Sequence, residues 1–173
     1  MDEKINQALV SSAIKVLAQN DRGRWTVPAG DLYPHQWLWD SCFIAIGLAQ
    51  IDIQRAMEEI RSLLRGQWSN GMFPNIIFND APQYNRDREI WRSYVSPYSP
   101  DDVATSGLTQ PPMLAEAVYR VGKKLKLPER RLWFKTMLPH IIDYHLWIYT
   151  ERNPHKEGLA VLIHPYELSL IHI

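Results

Sequence analysis

A cluster of aromatic side chains and one carboxylate marks residues 31–43 as the segment best suited to chemistry. Trp37 and Trp39 flank a leucine, and Asp40 follows at once, where a polar loop runs into an apolar helix. A carboxylate among apolar residues is unfavourable unless it is paired or hydrogen-bonded. Sugar hydroxyls would supply such bonds, and the indole rings would supply a flat surface for a sugar ring. The residues alone equally allow Asp40 as a helix cap and the tryptophans as core.

The composition leaves that choice open but excludes other classes of partner. Seven Trp and eight Tyr among 173 residues are many, and on composition alone core filling is favoured over sugar stacking. Lys plus Arg and Asp plus Glu both number 19, so the net charge is zero and predicts neither nucleic acid nor an anionic membrane as a partner. The apolar runs fall short of the roughly 20 residues that a membrane span requires.

Cysteine usage and the N-terminus predict a cytoplasmic protein. Cys42 is the single cysteine, so no internal disulfide can form, and a reducing compartment is the simplest expectation. The first residues lack the basic and apolar pattern of a signal peptide. No metal or cofactor is predicted, because His140 and His145 have no third ligand in view and no glycine-rich phosphate loop is present.

Helical periodicity dominates the elements that must position these residues. Asp52 is a good N-cap for the third helix, which Gly66 ends, and Pro139 should kink or divide the last helix. A strand is indicated only weakly, over residues 159–163. The five predicted helices span residues 5–17, 36–50, 53–64, 111–121 and 128–149.

The connections between these helices predict an all-α fold. They alternate between short and long, which is typical of a helical hairpin array or an α/α barrel. The longest connection, residues 68–109, is rich in Asn, Pro, Ser and Asp and has no sustained period. Loops of this length inside a compact domain are uncommon and tend to be functional.

Two further segments complete a recognisable pattern. Residues 67–78 follow a helix and turn sharply at Asn70-Gly71, and residues 105–112 form a polar loop that leads into the next helix. With the Trp-Leu-Trp-Asp-Ser segment, in this order and spacing, they resemble glycoside hydrolase family 63, and within it the mannosylglycerate hydrolase group. The resemblance extends over nearly the whole chain to Glu167.

The resemblance implies a partial (α/α)6 barrel, roughly the first five helices of a six-hairpin toroid. It also implies hydrolysis of an α-glycosidic bond with inversion, in a small sugar conjugate such as mannosylglycerate or glucosylglycerate. One departure is Asn75, where His is expected; Asn can hydrogen-bond a hydroxyl but cannot titrate. The side chains implied to hold the non-reducing sugar are Tyr33, Gln36, Trp37, Trp39, Asp40 and Gln110.

No catalytic residue is expected within this chain. Inverting glycosidases need two carboxyl groups roughly 6.5–9.5 Å apart. The resemblance places the general acid shortly after the segment matched by residues 164–167, and the base far downstream. Residues 1–167 are therefore expected to be the N-terminal part of a glycosidase domain, inactive alone and prone to aggregate through uncovered apolar surface. Residues 168–173 are identical to a translated reading frame of the end of a transposon that is used to prepare sequencing libraries. This identity predicts a non-native tail.

Two alternatives remain open at this stage. The first is a trehalase-like or α-glucan-trimming enzyme on the same barrel, since those enzymes carry a similar Trp-Asp-Ser segment. The second, from another class, is a non-catalytic helical module that binds sugars.

Overall fold

The computed structural model describes residues 3–30 and 32–168 and is mostly helical, which confirms the all-α prediction. A two-stranded antiparallel ladder of β1 (Gln36–Trp37) and β2 (Ile76–Ile77) is the one sheet among these residues. Apart from residue 168, the predicted non-native tail lies outside the described residues. The helices are α1 (Glu3–Asn20), α2 (Leu38–Leu48), α3 (Ile53–Leu64), α4 (Asn85–Trp91), α5 (Leu114–Lys124) and α6 (Leu127–Glu151).

The predicted start of the second helix at residue 36 is wrong by two residues. Gln36 and Trp37 are extended and pair with Ile77 and Ile76, so α2 begins only at Leu38. The apolar sequence around this point fits a buried strand as well as a buried helix, and periodicity cannot separate the two over so short a run. The third helix begins as predicted, with the Asp52 carboxylate accepting from the Arg55 amide at 2.9 Å.

The core lies where α2, α3 and α5 pack against one another, and α6 packs against α5. The buried side chains of α2, among them Leu38, Cys42 and Ala45, belong to one cluster with residues of α3, α5 and α6. At the end of α3 the chain approaches β2 so closely that a Cβ on Gly66 would lie 2.6 Å from the Ile77 side chain. Any larger residue at this position would force the Ile77 side chain to move.

Three other expectations need correction. The long connection contains α4, which has no buried residue and therefore no apolar stripe for sequence analysis to detect. Residues 159–163 form no strand; Val161 makes a single backbone bond, to the Arg152 carbonyl at 2.7 Å. Pro111 and Pro112 precede α5, whose first residue is Leu114.

Pro139 does not divide α6, which runs unbroken from Leu127 to Glu151. The proline lies on the exposed face, where water can satisfy the carbonyl that loses its partner. Trp133 and Met137 before it, and Tyr144 after it, are all buried in the same core. Packing on both sides therefore keeps the two halves in one helix.

Two helix faces leave apolar side chains exposed. Along α6, Leu138, Ile142 and Leu146 form a stripe at four-residue spacing, and each is about half exposed. On α1 the exposed apolar residues are Ile5, Leu9, Val10, Ile14 and Val16. None of the helices in the described part of the chain is both long and apolar enough to cross a membrane.

Candidate functional site

The first turn of α2 is held by two segments that are distant in sequence. The amide of Leu38 donates to the Asn75 carbonyl at 3.0 Å, and the amide of Trp39 donates to Oε1 of Gln110 at 3.2 Å. Because the first amides of a helix have no partner within it, such contacts fix where the helix begins. The three segments that carry the family resemblance therefore meet at this helix end.

Gln110 reaches this helix end from a rigid loop. Its carbonyl accepts from the Tyr144 hydroxyl at 2.8 Å, and that hydroxyl lies 2.6 Å from Oγ1 of Thr109. Gln110 is only 2% exposed, yet its amide Nε2 has no hydrogen-bond partner. A buried amide donor without a partner is unfavourable, and the described residues leave this N–H group unsatisfied.

Trp37 also has a buried side-chain donor without a hydrogen-bond partner. It packs with Ile76 and Phe78, and its ring meets that of Tyr33 edge-on, with 5.7 Å between the centroids. Its indole Nε1 is buried and has no partner. Within the described part of the chain, this indole and the Gln110 amide are the two buried side-chain donors left unsatisfied.

Trp39 and Asp40 lie half-buried on the first turn of α2. The Trp39 ring meets the exposed ring of Phe43, one turn further along, edge-on at 6.1 Å. Burial raises the pKa of the Asp40 carboxyl, and hydrogen bonds from its own backbone and from Trp39 oppose that effect. A half-buried carboxylate of this kind gains most from donors such as hydroxyl groups.

Gln36 lies in the interior of the protein. Its Nε2 donates to Oγ of Ser41 at 3.1 Å, and its Oε1 accepts from Oγ of Ser62 at 2.8 Å. Because neighbouring residues of a strand point to opposite faces, Gln36 and Trp37 cannot present their side chains to one face of β1. Five of the six predicted sugar-binding residues lie on the segment that ends in the first turn of α2 or contact it, and we call them the α2 mouth: Tyr33, Trp37, Trp39, Asp40 and Gln110.

Sequence analysis missed a buried ionic cluster behind the α2 mouth. Glu59 is fully buried, and its carboxylate accepts from Ser41 at 2.5 Å, from Oγ1 of Thr26 at 2.8 Å and from Arg55 at 2.8 Å. Arg55 also pairs with Asp21 at 2.9 Å. Glu59 lies on the apolar stripe of α3, and a charge at such a position is a signal that could have revealed the cluster.

Asn75, the departure from the family pattern, joins the α2 mouth to residues near the end of the described chain. Its Oδ1 accepts from the Ser106 hydroxyl, and its Nδ2 donates to the Tyr166 carbonyl at 3.4 Å. The next residue, Glu167, is fully buried and pairs with Arg152 at 2.8 Å. Residues 165–167 are therefore held beside the loop that supports the start of α2.

A separate cleft of about 530 Å³ lies between the end of α3, β2 and the connection that contains α4. We call it the α4 cleft. Its two arginines already have partners: Arg65 contacts Asp102 at 3.4 Å, and Arg88 donates to the Asn79 carbonyl at 2.6 Å. Across the described residues, no group of three His, Cys, Asp or Glu side chains is arranged to hold a metal ion.

Comparison with known proteins identifies the family to which this helical chain belongs. A model described as the mannosylglycerate hydrolase MGH1-like glycoside hydrolase domain matches residues 33–169. The chain belongs to this family of glycoside hydrolases.

Relatives from several organisms agree with this membership. A mannosylglycerate hydrolase of Thermus thermophilus is 40% identical over 161 residues, which cover 91% of this chain and 38% of the relative. The glucosylglycerate hydrolase of Mycolicibacterium hassiacum is 35% identical over 170 residues, covering 94% and 38%. The chain thus spans about 38% of the length of these two relatives.

A solved structure supports the same assignment. The crystal structure of the GH63 mannosylglycerate hydrolase from a second strain of Thermus thermophilus, in complex with Tris and D-glycerate, aligns with a TM-score of 0.82 and 39% identity. The alignment covers 94% of this chain and 38% of that structure. The predicted membership of family 63 is therefore confirmed.

Proposed function

We propose that residues 1–167 are the N-terminal part of the catalytic domain of an inverting glycosidase, and that residues 168–173 are a non-native tail. The whole enzyme cleaves an α-glycosidic bond in a small sugar conjugate such as mannosylglycerate or glucosylglycerate. Membership of the family supports the reaction class. The names of two relatives, and the D-glycerate bound to a third protein, support the class of substrate.

The observation that carries the sugar site is the unmet hydrogen-bonding capacity of the α2 mouth. Two buried donors, on Trp37 and Gln110, lack partners. A sugar offers acceptor oxygens to these donors and hydroxyl donors to the Asp40 carboxylate, while the Trp39 ring gives a stacking surface. Tyr33 supports the Trp37 ring. Gln36 supports the site indirectly, because its side-chain amide donates to Ser41 and to the Glu59 carbonyl.

The division of labour follows from this arrangement. The α2 mouth grips the terminal sugar, and the carboxyl groups that protonate the leaving oxygen and activate water are supplied from beyond residue 167. Those two carboxyl groups must flank the scissile bond at roughly 6.5–9.5 Å. Asp40 is not one of them in this proposal, and it binds the sugar as an ionised carboxylate.

The single cysteine, buried in α2, supports a reducing cytoplasmic setting.

Turnover by the full-length protein tests this function. We expect hydrolysis of mannosylglycerate or glucosylglycerate and none of trehalose or maltooligosaccharides. Proton NMR during the first turnovers should show the β-anomer of the released sugar, because inversion converts an α-linkage to a β-product. Hydrolysis of trehalose without hydrolysis of either conjugate would contradict the proposed substrate class and favour a trehalase-like enzyme. An initial α-anomer would exclude inversion.

The apolar faces of α1 and α6 support the partial-barrel proposal, because these faces fit neighbouring helices of a closed toroid. We expect the 173-residue protein to self-associate. Replacing Leu138 and Leu146 by Lys should reduce the associated fraction in sedimentation velocity and leave helical content unchanged. Lysine at Thr136, an exposed α6 position outside this stripe, is the control. A sharply melting monomer of the unmodified chain would count against the partial barrel.

A further inference from the structure

The buried carboxylate of Glu59 contacts the chain at both ends of the segment that carries the α2 mouth. Ser41, which directly follows Asp40, donates to Oε1 of Glu59 at 2.5 Å. Gln36, which directly precedes Trp37, donates to the Glu59 carbonyl at 3.3 Å and lies 3.5 Å from Oε1. The four residues between these two contacts include three of the proposed sugar-binding side chains.

All groups around the Glu59 carboxylate are donors. Thr26 donates through its hydroxyl at 2.8 Å and its amide at 3.3 Å, and Arg55 donates at 2.8 Å. A charged carboxylate uses every one of these donors, whereas a neutral carboxyl group would turn one oxygen into a donor that faces other donors. The cluster is therefore built for a carboxylate, and α3 fixes the backbone from which it extends.

We propose that Glu59 is the positioning residue of the sugar site. It acts through Ser41 and Gln36, which set the orientation of β1 and of the first turn of α2, and hence of Trp37, Trp39 and Asp40. Glu59 itself is buried on the far side of this segment and does not touch the sugar. The inference rests on the proposed function, because it assigns a support to that same site.

Steady-state kinetics of the full-length enzyme test this role. Glu59→Gln keeps the size of the side chain but places a donor opposite Thr26 and Arg55. We expect kcat/KM to fall about tenfold or more, since small displacements of binding groups reduce rates strongly. Glu58→Gln, on the same helix and about half exposed, is the matched control and should stay within about twofold.

A double-mutant cycle separates positioning from general loss of stability. If Glu59 acts through Asp40, combining Glu59→Gln with Asp40→Asn should reduce kcat/KM by less than the product of the two single losses. If Glu59 only stabilises the fold, the losses multiply, and the proposal is overturned. Should Glu59→Gln fail to fold, Ser41→Ala removes the link alone and leaves Glu59 its contacts with Thr26 and Arg55, and the same cycle applies.

A spectroscopic readout keeps this inference distinct from the proposed function. The 19F resonances of 5-fluorotryptophan at positions 37 and 39, assigned with Trp→Phe variants, report the two rings without any substrate. We expect both to shift in Ser41→Ala and Glu59→Gln and to stay unmoved in Glu58→Gln. Unmoved resonances in an active enzyme would overturn the positioning role alone. Shifted resonances in a protein that hydrolyses neither conjugate would overturn the proposed function and leave the positioning role supported.

Discussion

The α2 mouth and the α4 cleft differ in how fully their polar side chains are paired. The cleft is large, at about 530 Å³, but its arginines are already paired with Asp102 and with a backbone carbonyl. The mouth holds two buried donors without partners. This unmet hydrogen-bonding capacity is the reason why we propose the mouth, and not the larger cleft, as the sugar site.

The two regions also differ in what supports them. The mouth is tied to the core through Tyr144 and to the buried cluster through Ser41. The cleft is walled partly by α4, which has no buried residue. A site that must hold a ligand in one geometry needs side chains fixed by packing and hydrogen bonds; the mouth has that support, whereas the α4 wall of the cleft has no buried side chain.

The largest effect should come from Asp40→Asn in the full-length enzyme. The change keeps the shape but removes the charge and one acceptor oxygen. Hydrogen bonds to a charged group are worth about 1.5–3 kcal/mol, so losing one sugar contact and weakening the other should reduce kcat/KM by about ten- to a hundredfold or more. Steady-state kinetics measure this, with Asp102→Asn in the cleft wall as the control. Equal losses at both positions would remove the distinction between the two regions.

Gln110→Ala should have the next largest effect. It removes the unpartnered donor and the acceptor of the Trp39 amide at once, so sugar affinity should fall about tenfold or more in calorimetric titration. Gln54→Ala, at an exposed position on α3, is the matched control. Unchanged affinity for Gln110→Ala would show that the buried amide is not a sugar donor.

The pH dependence of sugar affinity should follow Asp40. Burial raises its carboxyl pKa, and the sugar contacts need the ionised form. Affinity should therefore be complete above this raised pKa and be lost as the pH falls through it, at a higher pH than an ordinary aspartate would require. The residual binding of Asp40→Asn should lack this step in the same titrations. A step that persists in the variant would assign it to another group.

The smallest effect should come from the α4 cleft. Arg65→Ala removes an exposed side chain whose one ion pair, with Asp102, is long at 3.4 Å. Exposed pairs of this kind contribute roughly 0–1 kcal/mol, so both stability and kcat/KM should change little. Thermal melts and kinetics check this. A large loss of affinity with unchanged stability would make the cleft part of the substrate site.

Sequence analysis predicted five of the six helices in the described residues, because their periodicity lies in consecutive residues, and it missed α4, which buries no residue. It placed the start of α2 two residues too early, since two extended residues paired with β2 break the helical period. It did not find the Glu59 cluster, whose partners Ser41 and Thr26 lie 18 and 33 residues away. Such contacts depend on tertiary packing, which local patterns do not encode.

A crystal structure of the full-length protein with a bound sugar tests the central claim most directly. Glucose is a suitable probe, since a product-like sugar is not hydrolysed. We predict a sugar ring against Trp39, with hydroxyl oxygens within about 3.2 Å of the Asp40 carboxylate and of Nε2 of Gln110. A sugar in the α4 cleft, with the two donors of the mouth still unpartnered, would contradict the account.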